Sequence, residues 1–307
     1  MVAQFTRLIT KRKAVLMVAV AAVLLSSYVL MSDSADQTSA EFSNGDLTYE
    51  VSSGEAMVTG LSYEGQYKNS IIIPSSIFSD AEYPVTSIDD YAFYNCSSLT
   101  SVTIPDSVTS VGDYAFKGCT SLTSVTMSNN IENISVGMFF DCSSLTSVTI
   151  PDSVGYIGNY AFSGCSSLTS ITIPSNVNTL GYYIFTGCTS LTTVDVDSSN
   201  DYFTSDNDIV YSKDSKLIFC LVSKTGPVII PEGVTSIRDG AFSGCTSLTS
   251  VTIPSGVNSI GSYAFRSCTS LTSVTIPSSV TSIGNYAFYG CSSLSSVEIP
   301  NDVTTIS

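Results

Sequence analysis

The sequence predicts an α/β-type repeat solenoid. Its coils are 23 residues long, each a short parallel strand plus a loop or short helical turn, stacked into a curved array. Three observations predict this. Cysteines fall at Cys96, Cys119, Cys142, Cys165 and Cys188, then at Cys245, Cys268 and Cys291, with a spacing of 23 inside each run. A Phe stands three residues before each of these and a Leu three after, from Phe93 and Leu99 to Phe288 and Leu294. The jump from Cys188 to Cys245 is 57, which is one period of 23 plus 34. A fixed period of about 20–29 residues marks a leucine-rich-repeat solenoid.

Each segment of the unit has a physical reason, seen in residues 99–122. Val102 and Ile104 alternate with Ser101 and Thr103, so the segment is a strand with one face in and one out. Pro105 ends it, because proline cannot donate to a ladder. Val108 and Val111 point inward from a loop or 3-10 segment. Gly112 permits a sharp bend. Asp113 to Lys117 reads as one helical turn, and Gly118 as its left-handed cap. Asn95, Asp141 and Ser267 hold that cap position elsewhere. One coil should bury Val108, Val111, Ala115, Phe116, Cys119, Leu122, Val125 and Met127. A lone coil cannot offset the entropy of ordering its backbone, so neighbours must cover both sides.

Four regions follow. Residues 1–31 hold a basic cluster (Arg7, Lys11, Arg12, Lys13) and then an apolar run, the pattern of a signal peptide or an N-terminal signal anchor. Either places the rest of the chain outside the cell. Residues 32–45 read as a flexible linker and 46–74 as an N-terminal cap. Residues 75–307 are the solenoid, with a hairpin inserted at 195–225. Within the insert, Asp208–Tyr211 and Leu217–Leu221 are the apolar arms and 212–216 the turn. The first coil is longer, with Phe78 to Pro84 added. Ser307 falls partway through a coil, so either the chain is a piece of a longer protein or its last edge is blunted another way.

Composition narrows the function. The chain has 307 residues, 43% hydrophobic and 12% charged, which argues against disorder. It has no His, which excludes Ser-His-Asp and Cys-His catalysis and His-ligated zinc. Net charge is −15, and residues 32–307 carry 26 acids against 7 bases, giving −19. Such a surface repels phosphate backbones, so nucleic acid is not a partner.

The string Ile-Pro-x-x-Val-Thr-Ser-Ile-Gly-x-Tyr-Ala-Phe-x-Gly-Cys-x-Ser-Leu-Thr-Ser-Val-Thr-Ile-Pro, cleanest at 276–300 and 150–174, resembles the BspA-like leucine-rich-repeat family. The likeness covers about residues 70–307. Ile209-Val210-Tyr211 followed by Lys216-Leu217-Ile218 also looks like an insert that recurs in that family. The resemblance implies a right-handed solenoid at the cell surface and adhesion to matrix proteins, host cells or other microbes. It assigns no catalytic or ligand residue.

Four constellations could carry chemistry. The cysteines stack on adjacent coils and read as a free structural ladder, since parallel Cβ vectors oppose the disulfide dihedral. Cys220, outside the period, is the thiol expected at the surface. Asp195, Asp197, Asp201, Asp206 and Asp208 enrich the insert in oxygen ligands, but their spacing fits no calcium loop, so a solvated acidic loop is expected. The outward strand face carries Ser101, Thr103, Ser124, Thr126, Ser147, Thr149, Ser170, Thr172, Ser250, Thr252, Ser273 and Thr275, continued by Thr193/Asp195 and Ser296/Glu298. This is the expected binding face, weak per site and strengthened by repetition. Tyr91, Tyr114, Tyr160, Tyr183, Tyr263 and Tyr286 recur before Ala-Phe (Ile-Phe after Tyr183), as packing rings or as a contact surface.

The expected function is non-catalytic adhesion or protein recognition, outside the cell, secreted or anchored. The partner would be a protein or glycan on another cell or matrix, and the membrane itself through residues 1–31 if these are not cleaved. No metal or cofactor is implied. The alternative is a structural or shielding component of the cell envelope, favoured by near-identical coils such as 101–108 and 147–154.

Overall fold

A computed structural model describes residues 40–306, so the signal or anchor segment lies outside the described residues. The cap begins earlier than the sequence implied. Strand β1 (Ala40–Asn44) lies in what reads as linker, paired antiparallel with β2 (Leu47–Ser52), Ala40 opposite Val51. β2 pairs antiparallel with β3 (Glu55–Leu61), and the turn at Ser53-Gly54 takes positive φ at both residues. β3 then pairs in parallel with the Glu82–Ile88 strand, which pairs with Ser110–Val111. The cap thereby hands its hydrogen bonds to the solenoid and leaves no open edge at that junction. The residues added to the first coil form a small hairpin, with Ser76–Phe78 against Glu82–Pro84.

Most coils have two short strands among the described residues. The first is the Ser-Val-Thr strand, as in Ser101–Thr103. The second lies where the sequence predicts a loop or 3-10 segment: Ser110–Val111, Asn133–Ile134, Tyr156–Ile157 and Thr179–Leu180, then Ser236–Ile237, Ser259–Ile260 and Ser282–Ile283. Within each sheet both sets pair in parallel with the same positions of the neighbouring coil, Ser259 with Ser282 for example, whereas Ser110–Val111 pairs with Glu82–Ile88 alone. Gly112 sits beside the second strand, where a Cβ would lie 2.3 Å from the main-chain nitrogen of Asp90. That close approach, more than a bend, requires glycine.

The α/β class and the helical turn are corrected. Among the described residues the single helical element is a 3-10 turn at Gly65–Tyr67. The Asp113–Lys117 segment is not helical, because its donors alternate. Tyr114, Phe116 and Gly118 donate to Val136, Met138 and Phe140 of the next coil, at 2.8, 3.0 and 2.8 Å. Lys117 and Cys119 donate backward within the coil, to Tyr114 and Phe116. A helix would keep every donor inside the segment. Tyr114 holds φ 56°, and Tyr91, Tyr160, Tyr183, Tyr263 and Tyr286 hold φ 55–58°, which breaks any helix at the same place in each coil. The cap position behaves as read, with Gly118, Asn95, Asp141 and Ser267 all at positive φ.

The core follows the repeat. Val108, Val111, Ala115, Phe116, Cys119, Leu122 and Met127 are buried, and Val125 is half-buried. The phenylalanines stack along it, with Phe93–Phe116 centroids 5.0 Å apart and Phe116–Phe139 5.6 Å.

The insert is more than a hairpin. Phe203–Asp206, Ile209–Ser212 and Lys216–Cys220 form a three-stranded antiparallel meander, and the last strand pairs in parallel with Ser236–Ile237. It separates two cores. Val210 and Ile218 join the core that runs back to Leu47. Ile209, Tyr211, Leu217 and Cys220 join the core that runs on to Cys291. A sheet with apolar residues on both faces belongs between two hydrophobic layers. No helix among the described residues is long and apolar enough to cross a membrane.

Candidate functional site

The strand face is brought together by parallel register. Ser101 and Thr103 stand opposite Ser124 and Thr126. Ser170 and Thr172 stand opposite Thr193 and Asp195, and Ser250 and Thr252 opposite Ser273 and Thr275. Zero offset between coils makes every second side chain part of a straight column. Ser147 and Thr149 are exposed on an extended stretch without strand pairing. The face is three short sheets rather than one, with breaks around 147–149 and between Val196 and Gly226. Thr103, Thr126, Thr149, Thr172, Thr252 and Thr275 are all exposed, and among the described residues their hydroxyls have no protein partner. Ser101 is half-buried and bonds Ser70 Oγ at 2.8 Å.

Two features of this face were missed in the sequence. One is the threonine just before each strand. Thr123 Oγ1 donates to the Thr100 carbonyl at 3.0 Å and Thr272 Oγ1 to that of Thr249 at 3.0 Å. These hydroxyls are spent on joining coils, so their role is structural. The other is a pair of isoleucines in the threonine column. Ile72 is paired with Thr103 and is 74% exposed; Ile229 is paired with Thr252 and is 76% exposed. The signal was present: aligning Ile73-Pro74 and Ile230-Pro231 with Ile104-Pro105 puts both isoleucines in the threonine slot.

The cysteines are free thiols. Cys142, Cys165 and Cys188 each donate to a phenylalanine carbonyl of the coil before, at 3.1, 3.2 and 3.1 Å. Burial pushes the Cys142 and Cys188 thiols up to about 12 and raises that of Cys165 as well. Thiols so held stay protonated and are poor nucleophiles. Cys220 is corrected: it is 5% exposed, because its strand lies between the two cores. Cys96, at the start of the ladder, is half-exposed.

The acidic residues of the insert do not converge. Asp195 lies on the strand face and Asp206 at the end of a meander strand. Asp197 caps Ser199, whose hydroxyl and amide bonds hold its carboxyl below the usual range. Asp208 faces Lys224 at 3.5 Å. Among the described residues no three His, Cys, Asp or Glu are grouped to hold a metal.

A cleft of mixed charge lies at the insert, with Asp201 and Asp214 in its lining. Lys213, Lys216 and Arg238 line this cleft of about 530 Å³, three of the 7 bases in residues 32–307. Each is engaged: Lys213 Nζ with the Asn200 carbonyl at 2.5 Å, Lys216 with Asp214 at 2.6 Å, and Arg238 with the Leu180 carbonyl at 3.0 Å. On the turn side, Tyr91 and Tyr114 stack at 5.3 Å, as do Tyr160 and Tyr183. Burial pushes the Tyr183 hydroxyl up to about 12.

A family model described as the BspA type leucine rich repeat region matches residues 86–211 and 215–307, in six copies. The chain belongs to the BspA-type leucine-rich-repeat family. No curated protein matches it. Among solved structures, a leucine rich cell surface protein from Faecalibacterium prausnitzii A2-165 is 28% identical with a TM-score of 0.60, over 88% of this chain and 85% of that one. A leucine-rich-repeat protein from Bacteroides ovatus is 26% identical with a TM-score of 0.53, over 85% and 83%. The pneumococcal vaccine antigen PcpA, at 24% identity and a TM-score of 0.70 over 87% and 78%, shares the fold. This BspA-type chain is therefore a leucine-rich-repeat solenoid. Its β-only coils replace the helical turn foreseen from the sequence.

Proposed function

We propose that this protein is a non-catalytic recognition module acting outside the cell, which adheres to a protein or glycan through its strand face. The carrying observation is the register of exposed threonines with Ile72 and Ile229 in the same column. Hydroxyls offer hydrogen bonds at each rung and the two isoleucines add apolar anchors. Each contact is weak, and repetition multiplies them. Membership of the BspA-type family supports this reading, as does likeness to a protein named for the cell surface. The basic and then apolar N-terminus supports export. The absence of His and the protonated thiols support a role without catalysis.

The test is binding of the purified chain to cell-surface and matrix fractions. Ile72→Asp with Ile229→Asp, and separately Thr126→Asp with Thr172→Asp, should reduce saturable binding while leaving the melting temperature near that of the parent. Unchanged binding in both sets removes this face as the site. A second reading is a structural or shielding component of the envelope. Its support is the identity of residues 101–108 with 147–154, since binding surfaces diversify their exposed positions. Abundance on the producing cell with no saturable partner would favour it.

A further inference from the structure

The tyrosines two residues before the core Phe of each coil form a column of stacked pairs along the turn side: Tyr91 on Tyr114, Tyr160 on Tyr183, and Tyr263 on Tyr286, each at 5.3 Å. Glycine takes two places in that column, Gly137 and Gly240. Both keep the left-handed backbone of the tyrosines, at φ +56° and +66°. At both, the preceding ring leans over: a Cβ would lie 2.2 Å from Cε1 of Tyr114 or of Tyr183. The two positions are structurally equivalent although the sequence insert intervenes before the second.

They differ three residues further on. After Gly137 stands Phe140, whose ring occupies the missing ring's place, 6.5 Å from Tyr114 and 6.3 Å from Tyr160, edge-on to both. After Gly240 stands Ser243, which is buried and brings no ring. Above that position, between Tyr183 and Tyr263, the column opens into a cleft of about 710 Å³ lined by Tyr160, Tyr183, Thr186, Tyr263, Tyr286, Tyr289 and Arg266, with Gly240 and Ser243 outside its lining. Arg266 occupies the repeat position of Lys117, whose ammonium stands 5.1–5.6 Å from the centres of Tyr94, Tyr114 and Phe140. Arg266 is exposed and makes no ion pair among the described residues.

We propose that the cleft at Gly240 is a binding site for an aromatic side chain of a protein partner, one with an acidic neighbour set against Arg266. The chain itself shows which chemistry fits, because Phe140 fills the matching place from within. Edge-to-face contact with rings on two sides favours an aromatic guest over an aliphatic one. The guanidinium favours a carboxylate beside it and opposes a cation. The site rests on the recognition reading for the existence of a partner, but it lies apart from the strand face.

The protein has no Trp, so the indole of a blocked Gly-Trp-Asp-Gly peptide is the sole tryptophan emitter in a titration with the purified full chain. A saturable blue shift at one site per chain is expected. Ser243→Phe, which copies Phe140, should weaken binding by at least about tenfold, and Phe140→Ser should add a second site. Arg266→Glu should reverse the preference for Gly-Trp-Asp-Gly over Gly-Trp-Lys-Gly, and it keeps a readout should Ser243→Phe not fold. No saturable shift, or a shift indifferent to both Ser243→Phe and Arg266→Glu, overturns the proposal. Self-association of the chain that Ser243→Phe abolishes also overturns it, in favour of a second copy as occupant. Absence of peptide binding by the parent chain, with its cell or matrix binding intact, would sink this site and leave the strand-face reading standing.

Discussion

Cys119 donates its thiol to the main-chain carbonyl of Phe93, 3.0 Å away and 26 residues earlier in the chain. The relationship recurs at Cys268 with Phe242 and at Cys291 with Phe265, at 3.1 and 3.0 Å. Each cysteine thus ties its coil to the one before while filling a small apolar place. Cys165→Ala should lower stability by about 1–2 kcal/mol, read from the urea midpoint, because it removes buried volume and one of two donors to the Phe139 carbonyl, which keeps the Cys142 amide at 3.1 Å. A thiol reagent should label Cys96 in the native protein and all nine cysteines after unfolding. Rapid native labelling of Cys142 or Cys165 would contradict the ladder.

The same burial gives stability an alkaline limit. The folded pKa of Cys142 and of Cys188 is raised from 9.0 to about 12. Below pH 9 the thiols are protonated in both states, so this contribution is fully present. Above it the unfolded chain loses the proton first, and stability is lost as pH rises toward 12. The slope is about 1.4 kcal/mol per pH unit for each such thiol. Denaturant midpoints should be flat from pH 6 to 8 on this account and fall steeply from about pH 9.5. Cys142→Ala should make that fall shallower by one proton.

Asn200 should be one of the costliest polar positions to alter. It is 0% exposed. Its amide donates to the carbonyls of Pro174 and Val177, at 2.7 and 2.9 Å, and its oxygen accepts from Tyr202 and Phe203, both at 2.8 Å. This one side chain fastens the start of the insert to the coil beneath it. Asn200→Asp presents oxygen to two carbonyls and should cost about 3 kcal/mol or more. Asn200→Ser, measured by the same denaturation, should cost nearly as much, since it cannot reach all four partners. A loss under about 0.5 kcal/mol for either would show that the insert is anchored elsewhere.

Arg238 closes the seam between the two cores. In most other coils the second-strand carbonyl is met by a backbone amide, as Ile157 is by Gly181 at 2.7 Å, and that of Val111 by the Ser135 hydroxyl. At the seam the Leu180 carbonyl is met by the Arg238 guanidinium, which also lies 4.2 Å from the Tyr182 ring centre. Arg238→Met should cost about 1–3 kcal/mol and raise amide exchange at Leu180, Leu217 and Ile237. Exchange around Phe116 should stay as it was. Uniform acceleration along the chain would mean that the seam is not a separate weak point.

Most of the architecture was legible because a repeat repeats its evidence. The 23-residue period, the Phe, Cys and Leu of each coil and the in-out alternation of Ser101 to Ile104 are local patterns stated eight times over. So were the exposed hydroxyl column and the buried cysteines. The helical turn was misread for a physical reason. Asp113 to Lys117 has helix-compatible residues, but Tyr114 and Phe116 send their amides to residues 22 positions away, and no local signal records that. The linker was misread likewise: Ala40 to Asn44 is polar enough for a linker, and its order comes from pairing with Leu47 to Val51.

By itself, the sequence determined the coil, its length and its core, since these depend on side-chain type at fixed spacing. Tertiary structure decided which faces the insert serves and why Cys220 is buried. It also decided that Phe140 fills a ring's place which Ser243 leaves open. Each of these is a relation between neighbouring coils. It is set by register and by hydrogen bonds between residues more than twenty positions apart, and it exists once the coils are stacked.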